Sequence, residues 1–197
     1  MLIENDITPF VTLYHWDLPE NLNPHTDNGG WLNPDVVEYF NQFADFSFKT
    51  FGDRVKYWIT LNEPLTYTWL GYGLGSHAPG RCSDYISPDC SWIGGGGDTP
   101  TEPYIASHHS ILAHAKAVQT YREKYQKEQG GKIGMNCNSN YFLPFNSSNP
   151  DDLKAVEVSL QFNYGWYNDP IVFGDYPPYM KELITGDRLP TFTDAEK

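Results

Sequence analysis

The stretch Val55-Lys56-Tyr57-Trp58-Ile59-Thr60-Leu61-Asn62-Glu63-Pro64 decides the fold. Its β-branched and aromatic residues suit a buried strand, and Pro64, which has no N–H to give, should stop the ladder at Glu63. An amide and a carboxylic acid are thereby delivered side by side to a strand's carboxyl end, where barrels and open α/β sheets place their chemistry. A second apolar run, Ile7 to Tyr14, releases His15-Trp16-Asp17 in the same way. Any one of these polar groups alone reads as a satisfied cap or core residue. Two strand ends that offer an imidazole, an indole, an amide and two carboxylates read instead as a polar pocket with an aromatic wall.

Outward from these strands the chain alternates. Asn33 and Pro34 read as N-cap and first turn of a helix whose apolar positions Val36, Val37, Phe40, Phe43 and Ala44 keep helical spacing until Gly52. Leu65 to Pro100, rich in Gly, Pro and Ser and holding the run Gly94 to Gly97, reads as one long loop. A helix is predicted from Thr101 to about Lys127, with Ile105, His108, Leu112 and Ala115 on one face, and a strand from Ile133 to Asn138. A further helix over Asp151 to Tyr164 leads to an aromatic loop and a helical turn near Tyr179 to Ile184. Strand followed by helix, repeated, predicts an α/β fold with a parallel sheet and right-handed crossovers. The pattern fits an open doubly wound sheet and a barrel arc equally well.

With 197 residues, 40% of them apolar, the chain can bury a core of ordinary size. Its net charge of −12, from 25 acidic and 13 basic residues, opposes nucleic acid and anionic membranes as partners. No run approaches the roughly 18 apolar residues of a membrane span, and Met1 precedes neither a basic nor an apolar leader segment. His108, His109 and His114 lack the spacing of a helical zinc site and read as packing residues. No Gly-Lys-Ser/Thr follows the glycines, so they read as flexible loop and not as a phosphate cradle.

The order His15-Trp16-Asp17-Leu18-Pro19, Gly29-Gly30-Trp31, Phe51-Gly52-Asp53-Arg54-Val55-Lys56, Thr60-Leu61-Asn62-Glu63-Pro64, Ala78-Pro79-Gly80, Thr101-Glu102-Pro103-Tyr104 and Asp169 to Pro177 resembles family 1 glycoside hydrolases, the β-glucosidase family. The resemblance covers nearly the whole chain and resolves the fold in favour of a fragment of a (β/α)8 TIM barrel, residues 1–197 forming its third to fifth units. It implies a retaining O-glycosidase acting on β-glucosides, with no cofactor and no metal. Glu63 takes the place of the acid/base residue, Asn62 that of the group bonding the sugar 2-hydroxyl, and His15 that of the 3-hydroxyl ligand with Trp16 beside it. Thr66 matches an aglycone-side position, and Asp17 matches a structural carboxylate expected to bond backbone or a basic group. The family's nucleophile segment, Ile/Val-Thr-Glu-Asn-Gly, does not occur here. The chain therefore reads as incomplete at both ends and inactive alone, the alternative being a catalytically dead carbohydrate-binding or interaction protein on the same fold.

Three cysteines remain. A Cys82–Cys90 disulfide is the preferred reading, and plant members of the family resemble it in carrying a small disulfide loop after the Ala-Pro-Gly segment; a zinc site would need closely spaced pairs and further ligands. Cys137, inside an apolar strand, reads as a buried free thiol. Asn146-Ser147-Ser148 is a glycosylation sequon. It agrees with a secretory route for the parent protein, extracellular or vacuolar.

Overall fold

The computed structural model describes residues 1–197 other than 24–25, 27–28 and 92–95. Its strands are β1 (Phe10–Tyr14), β2 (Tyr57–Asn62) and β3 (Lys132–Asn136), parallel throughout and in the order β1-β2-β3. The helices are α1 (Val36–Phe51), α2 (Pro64–Tyr72), α3 (Glu102–Lys124), a single turn α4 (Gln126–Gln129), α5 (Pro150–Leu160), α6 (Trp166–Phe173) and α7 (Pro178–Leu183). Adjacent strands that follow one another in sequence, each joined to the next by a helical crossover, are the order of a barrel arc and equally of one half of a doubly wound sheet.

The main core lies between the sheet and helices α1 and α3. Phe48 of α1 meets Trp58 of β2 at 5.1 Å between centroids and Tyr121 of α3 at 4.8 Å, and all three are buried. On the sheet's other face Phe10 stacks on Tyr57 at 4.4 Å, and Phe10 stays exposed. A second cluster, with Ile111, Trp166, Tyr167, Tyr176 and Met180, fastens α6 and α7 to α3. Buried hydroxyls join the two regions: Tyr167 Oη lies 2.6 Å from Thr68 Oγ1 and 2.5 Å from Ser107 Oγ, tying α2, α6 and α3 together.

Several boundaries differ from the sequence reading. The segment read as loop from Leu65 begins with helix α2, started by Pro64, whose fixed φ suits a first helical position. Its residues are apolar on every side, so no helical stripe announced it. Gly94 and Gly95 of the glycine run lie outside the described residues. The aromatic loop after Tyr164 is helix α6, reached from α5 through a π-turn at Gln161–Gly165. Helix α1 starts at Val36 because Asn33 Oδ1 accepts from the Asp35 N–H at 3.0 Å, holding Asn33 in a turn ahead of the helix. On α3 the predicted face is met in part: His108 is buried, Ile105 and Leu112 are half-buried and Ala115 is exposed, while Ala106, Ala113, Ala117 and Tyr121 are among the further buried positions. Strand β1 is shorter than predicted, since Pro9 cannot donate to the ladder. Ile3–Asn5 form one 3-10 turn, and Thr193 at the other end donates its N–H and Oγ1–H to Glu196 Oε2 at 2.7 and 2.8 Å, the side-chain half of a helix-start box.

Candidate active site at the carboxyl ends of the strands

The three strands end at one rim. Tyr14, Asn62 and Asn136 are the last residues of β1, β2 and β3, so the side chains that follow share that rim. Both predicted strand ends leave the extended conformation abruptly: Trp16 has φ 76° and Glu63 φ 45°. Left-handed backbone is uncommon for residues with a side chain and is retained where surrounding bonds over-determine it. At Trp16 the indole Nε1–H donates to the Asn62 carbonyl at 2.8 Å. At Glu63 the backbone N–H donates to the Asn136 carbonyl at 2.7 Å, and Pro64 then starts α2. The carboxyl group is therefore mounted on the junction between a central strand and a clamped helix.

Two side-chain chains run along the rim. In the first, Asn136 Nδ2 donates to Asn62 Oδ1 at 2.7 Å, and Asn62 Nδ2 lies 3.1 Å from His15 Nε2. Since Asn62 Oδ1 is occupied as an acceptor, its Nδ2 is the donor to His15, and the His15 ring keeps its proton on Nδ1. Asn62 is buried while His15 is exposed, so the buried amide orients the accessible ring. In the second chain, Asn138 Nδ2 donates to Thr66 Oγ1 at 2.9 Å, and Thr66 Oγ1 donates to Glu63 Oε2 at 3.2 Å. Glu63 Oε1 makes no hydrogen bond among the described residues. Asp17 accepts the His15 N–H at 3.1 Å, the backbone role expected of it.

Beyond Thr66 opens a cavity of about 510 Å³ lined by Leu65, Trp69, Tyr104, Asn138, Asn163 and Trp166. Aromatic walls with a few amides are the surface that flat rings and sugar faces meet well. The loop after α2 returns to the rim, with His77 edge-on to Trp16 at 5.9 Å. That loop is closed by the Cys82–Cys90 disulfide and pinned to the start of α3 by a two-pronged Arg81–Glu102 ion pair, at 2.9 and 2.5 Å. The fork of bonds to Glu102 raises the Arg81 pKa.

Glu63, Thr66, Asn62, His15 and Trp16 are thus brought together as predicted, and Asn146 stands apart on the exposed loop before α5. Cys137 is free and half-buried just past β3, its thiol pushed up to about 11 by burial. The helical histidines are packing groups: His114 Nδ1 lies 2.8 Å from Thr60 Oγ1, His108 Nδ1 2.9 Å from Tyr176 Oη, and His109 Nδ1 donates to the Trp31 carbonyl at 2.8 Å. Burial lowers all three pKa values, those of His108 and His114 to about 4. The sequence reading missed Asn136 and Asn138. Asn136 ends the third strand and Asn138 lies two residues past it, much as Asn62 ends the second and His15 follows the first, and the same question put to that strand finds them.

The family model for glycosyl hydrolase family 1 matches residues 1–197. Beta-glucosidase 17 of Arabidopsis thaliana is 48% identical over 195 residues, which are 99% of this chain and 36% of that protein. A rice β-glucosidase, solved as a Glu-to-Gln mutant in a covalent complex with glucose, superposes with TM-score 0.93 at 44% identity over 99% of this chain and 39% of its own. A β-glucosidase from the fungus Humicola insolens, in complex with glucose, gives TM-score 0.90 at 42% identity over 99% and 39%. The chain spans little more than a third of the length of these relatives. Its parallel strands are an α/β arc of the (β/α)8 barrel, and the chain belongs to glycosyl hydrolase family 1.

Proposed function

We propose that this chain is the acid/base segment of a retaining β-glucosidase whose remaining barrel lies outside these 197 residues. The observation that carries the reading is Glu63: a carboxyl group free at Oε1, next to Asn62, and held through Oε2 by Thr66, which lines an aromatic cavity. Protonated Glu63 gives its proton from Oε1 to the glycosidic oxygen as the bond to the anomeric carbon breaks, then as carboxylate takes a proton from the water that releases the sugar. Asn62 and His15 bond the sugar's ring hydroxyls, and the 2-hydroxyl contact to Asn62 strengthens as the oxocarbenium-like transition state forms. Trp16 walls the sugar site, and Thr66 with the cavity beyond it receives the aglycone.

A retaining reaction needs a second carboxylate about 5 to 5.5 Å from the first. Asp17 is already engaged by the His15 backbone, which makes it a poor candidate. The nucleophile is assigned to the rest of the protein, and the isolated chain should hydrolyse nothing. Two named properties of relatives support the reading: the Arabidopsis protein is called a β-glucosidase, and the rice one holds glucose covalently. The test is the stereochemistry of the full-length enzyme, followed by proton NMR of the first-formed sugar. β-Glucose from a β-glucoside is expected, and α-glucose would overturn the retaining assignment.

A further inference from the structure

We propose that Asn146 is an acceptor of an N-linked glycan, a modification site separate from the sugar-hydrolysing rim. Asn146-Ser147-Ser148 is the one Asn-X-Ser/Thr triplet in the sequence without proline in the middle. It lies in the loop between β3 and α5, and all three residues are exposed. Asn146 Oδ1 accepts the Ser148 N–H at 2.9 Å, so the triplet is folded as an Asx-turn. The turn is braced from both sides: the Asn146 N–H donates to Asp152 Oδ2 at 2.7 Å, and the Asn146 carbonyl accepts the Asn149 N–H at 3.0 Å. Asn149 in turn caps α5 by accepting from the Asp151 N–H at 2.9 Å.

The chemistry follows from that turn. With Oδ1 engaged as an acceptor, the side-chain amide is polarised and its Nδ2 points away from the backbone bond, without a hydrogen-bond partner among the described residues. The step joins Nδ2 to the anomeric carbon of a lipid-linked oligosaccharide diphosphate. The carbon–oxygen bond to the diphosphate breaks with its electron pair, and one amide proton passes to the transferase. The Cys82–Cys90 disulfide is an independent sign of the same compartment, since such bonds form and persist where secreted chains mature.

The experiment is expression of the whole chain behind a cleavable secretory leader in a eukaryotic host, read by intact mass and peptide mapping. One glycan is expected at Asn146, released by peptide N-glycosidase with heavy-oxygen incorporation at that residue. It should be absent from Asn146→Gln and Ser148→Ala and kept in Ser148→Thr. The Cys82–Cys90 bond serves as the control for entry into the oxidising lumen. Chain with that disulfide formed and Asn146 bare overturns the proposal, as does a glycan that survives Ser148→Ala.

Discussion

Asn136 Nδ2 and Asn62 Oδ1 stand 2.7 Å apart, and that bond fixes which way the Asn62 amide faces. If Asn62 donates to a sugar 2-hydroxyl, Asn136 acts through it as a positioning residue. Asn136→Leu in the full-length enzyme should lower kcat/KM on a β-glucoside by about 10- to 100-fold, the loss of one part-buried hydrogen bond and the orientation it gives Asn62. The corresponding 2-deoxy substrate should lose much less. Equal losses on both substrates would confine Asn136 to a structural role.

Thr66 and Asn138 make the parallel prediction for the carboxyl group. Asn138 donates into Thr66 Oγ1, which leaves the hydroxyl proton directed at Glu63 Oε2. Removing the donor with Asn138→Leu, or the hydroxyl with Thr66→Val, should slow substrates with poor leaving groups by about tenfold while sparing activated aryl glycosides. A uniform fall across leaving groups would contradict this.

The buried histidines set the acid limit of the fold. His114 is neutral in the native state with a pKa near 4, whereas an unfolded histidine titrates near 6.5. Between these values the unfolded chain binds the extra proton and the native one does not, so stability is full above pH 6.5 and falls as the pH drops toward 4. Each such group adds about 1.4 kcal/mol per pH unit to that slope. Urea midpoints measured from pH 7 to pH 4.5 should decline less steeply in His114→Asn than in the parent chain. Parallel declines would show that His114 takes no part.

Gly75 tests the disulfide loop. Its φ is +67°, and an added Cβ would come within 2.8 Å of Cys82 Sγ and 3.1 Å of Cys90 Sγ. Gly75→Ala should therefore destabilise the protein by about 1–3 kcal/mol through left-handed strain and crowding. Opening the bond with Cys82→Ser and Cys90→Ser together should cost about 2.5 kcal/mol by loop-closure entropy, read from thermal or urea unfolding. A neutral Gly75→Ala would show that the loop shifts freely away from its sulfurs.

The strand ends were legible in the sequence because proline and alternating residue types mark them locally. Pro64 stops a ladder wherever it sits, so Glu63 could be placed without tertiary information. Helix α2 was not legible: Leu65, Tyr67, Trp69 and Leu70 surround it with apolar groups, and a helix with apolar residues all round carries no periodic signal. The wider burial of α3 has a similar origin, since small residues such as Ala106, Ala113 and Ala117 mark close packing without standing out as apolar. Asn136 and Asn138 mark a strand end in the sequence, but their partners come only from register, because it is the pairing of β3 beside β2 that brings them to Asn62 and Thr66.

The central claim, that Glu63 is the proton donor, is tested most directly by Glu63→Gln in the full-length enzyme, assayed on two β-glucosides that differ only in leaving group. An unactivated alkyl glucoside requires protonation of its departing oxygen, and a dinitrophenyl glucoside does not. The account predicts that the first loses nearly all of its turnover while the glycosylation step of the second is close to unchanged. Equal losses on both would contradict it.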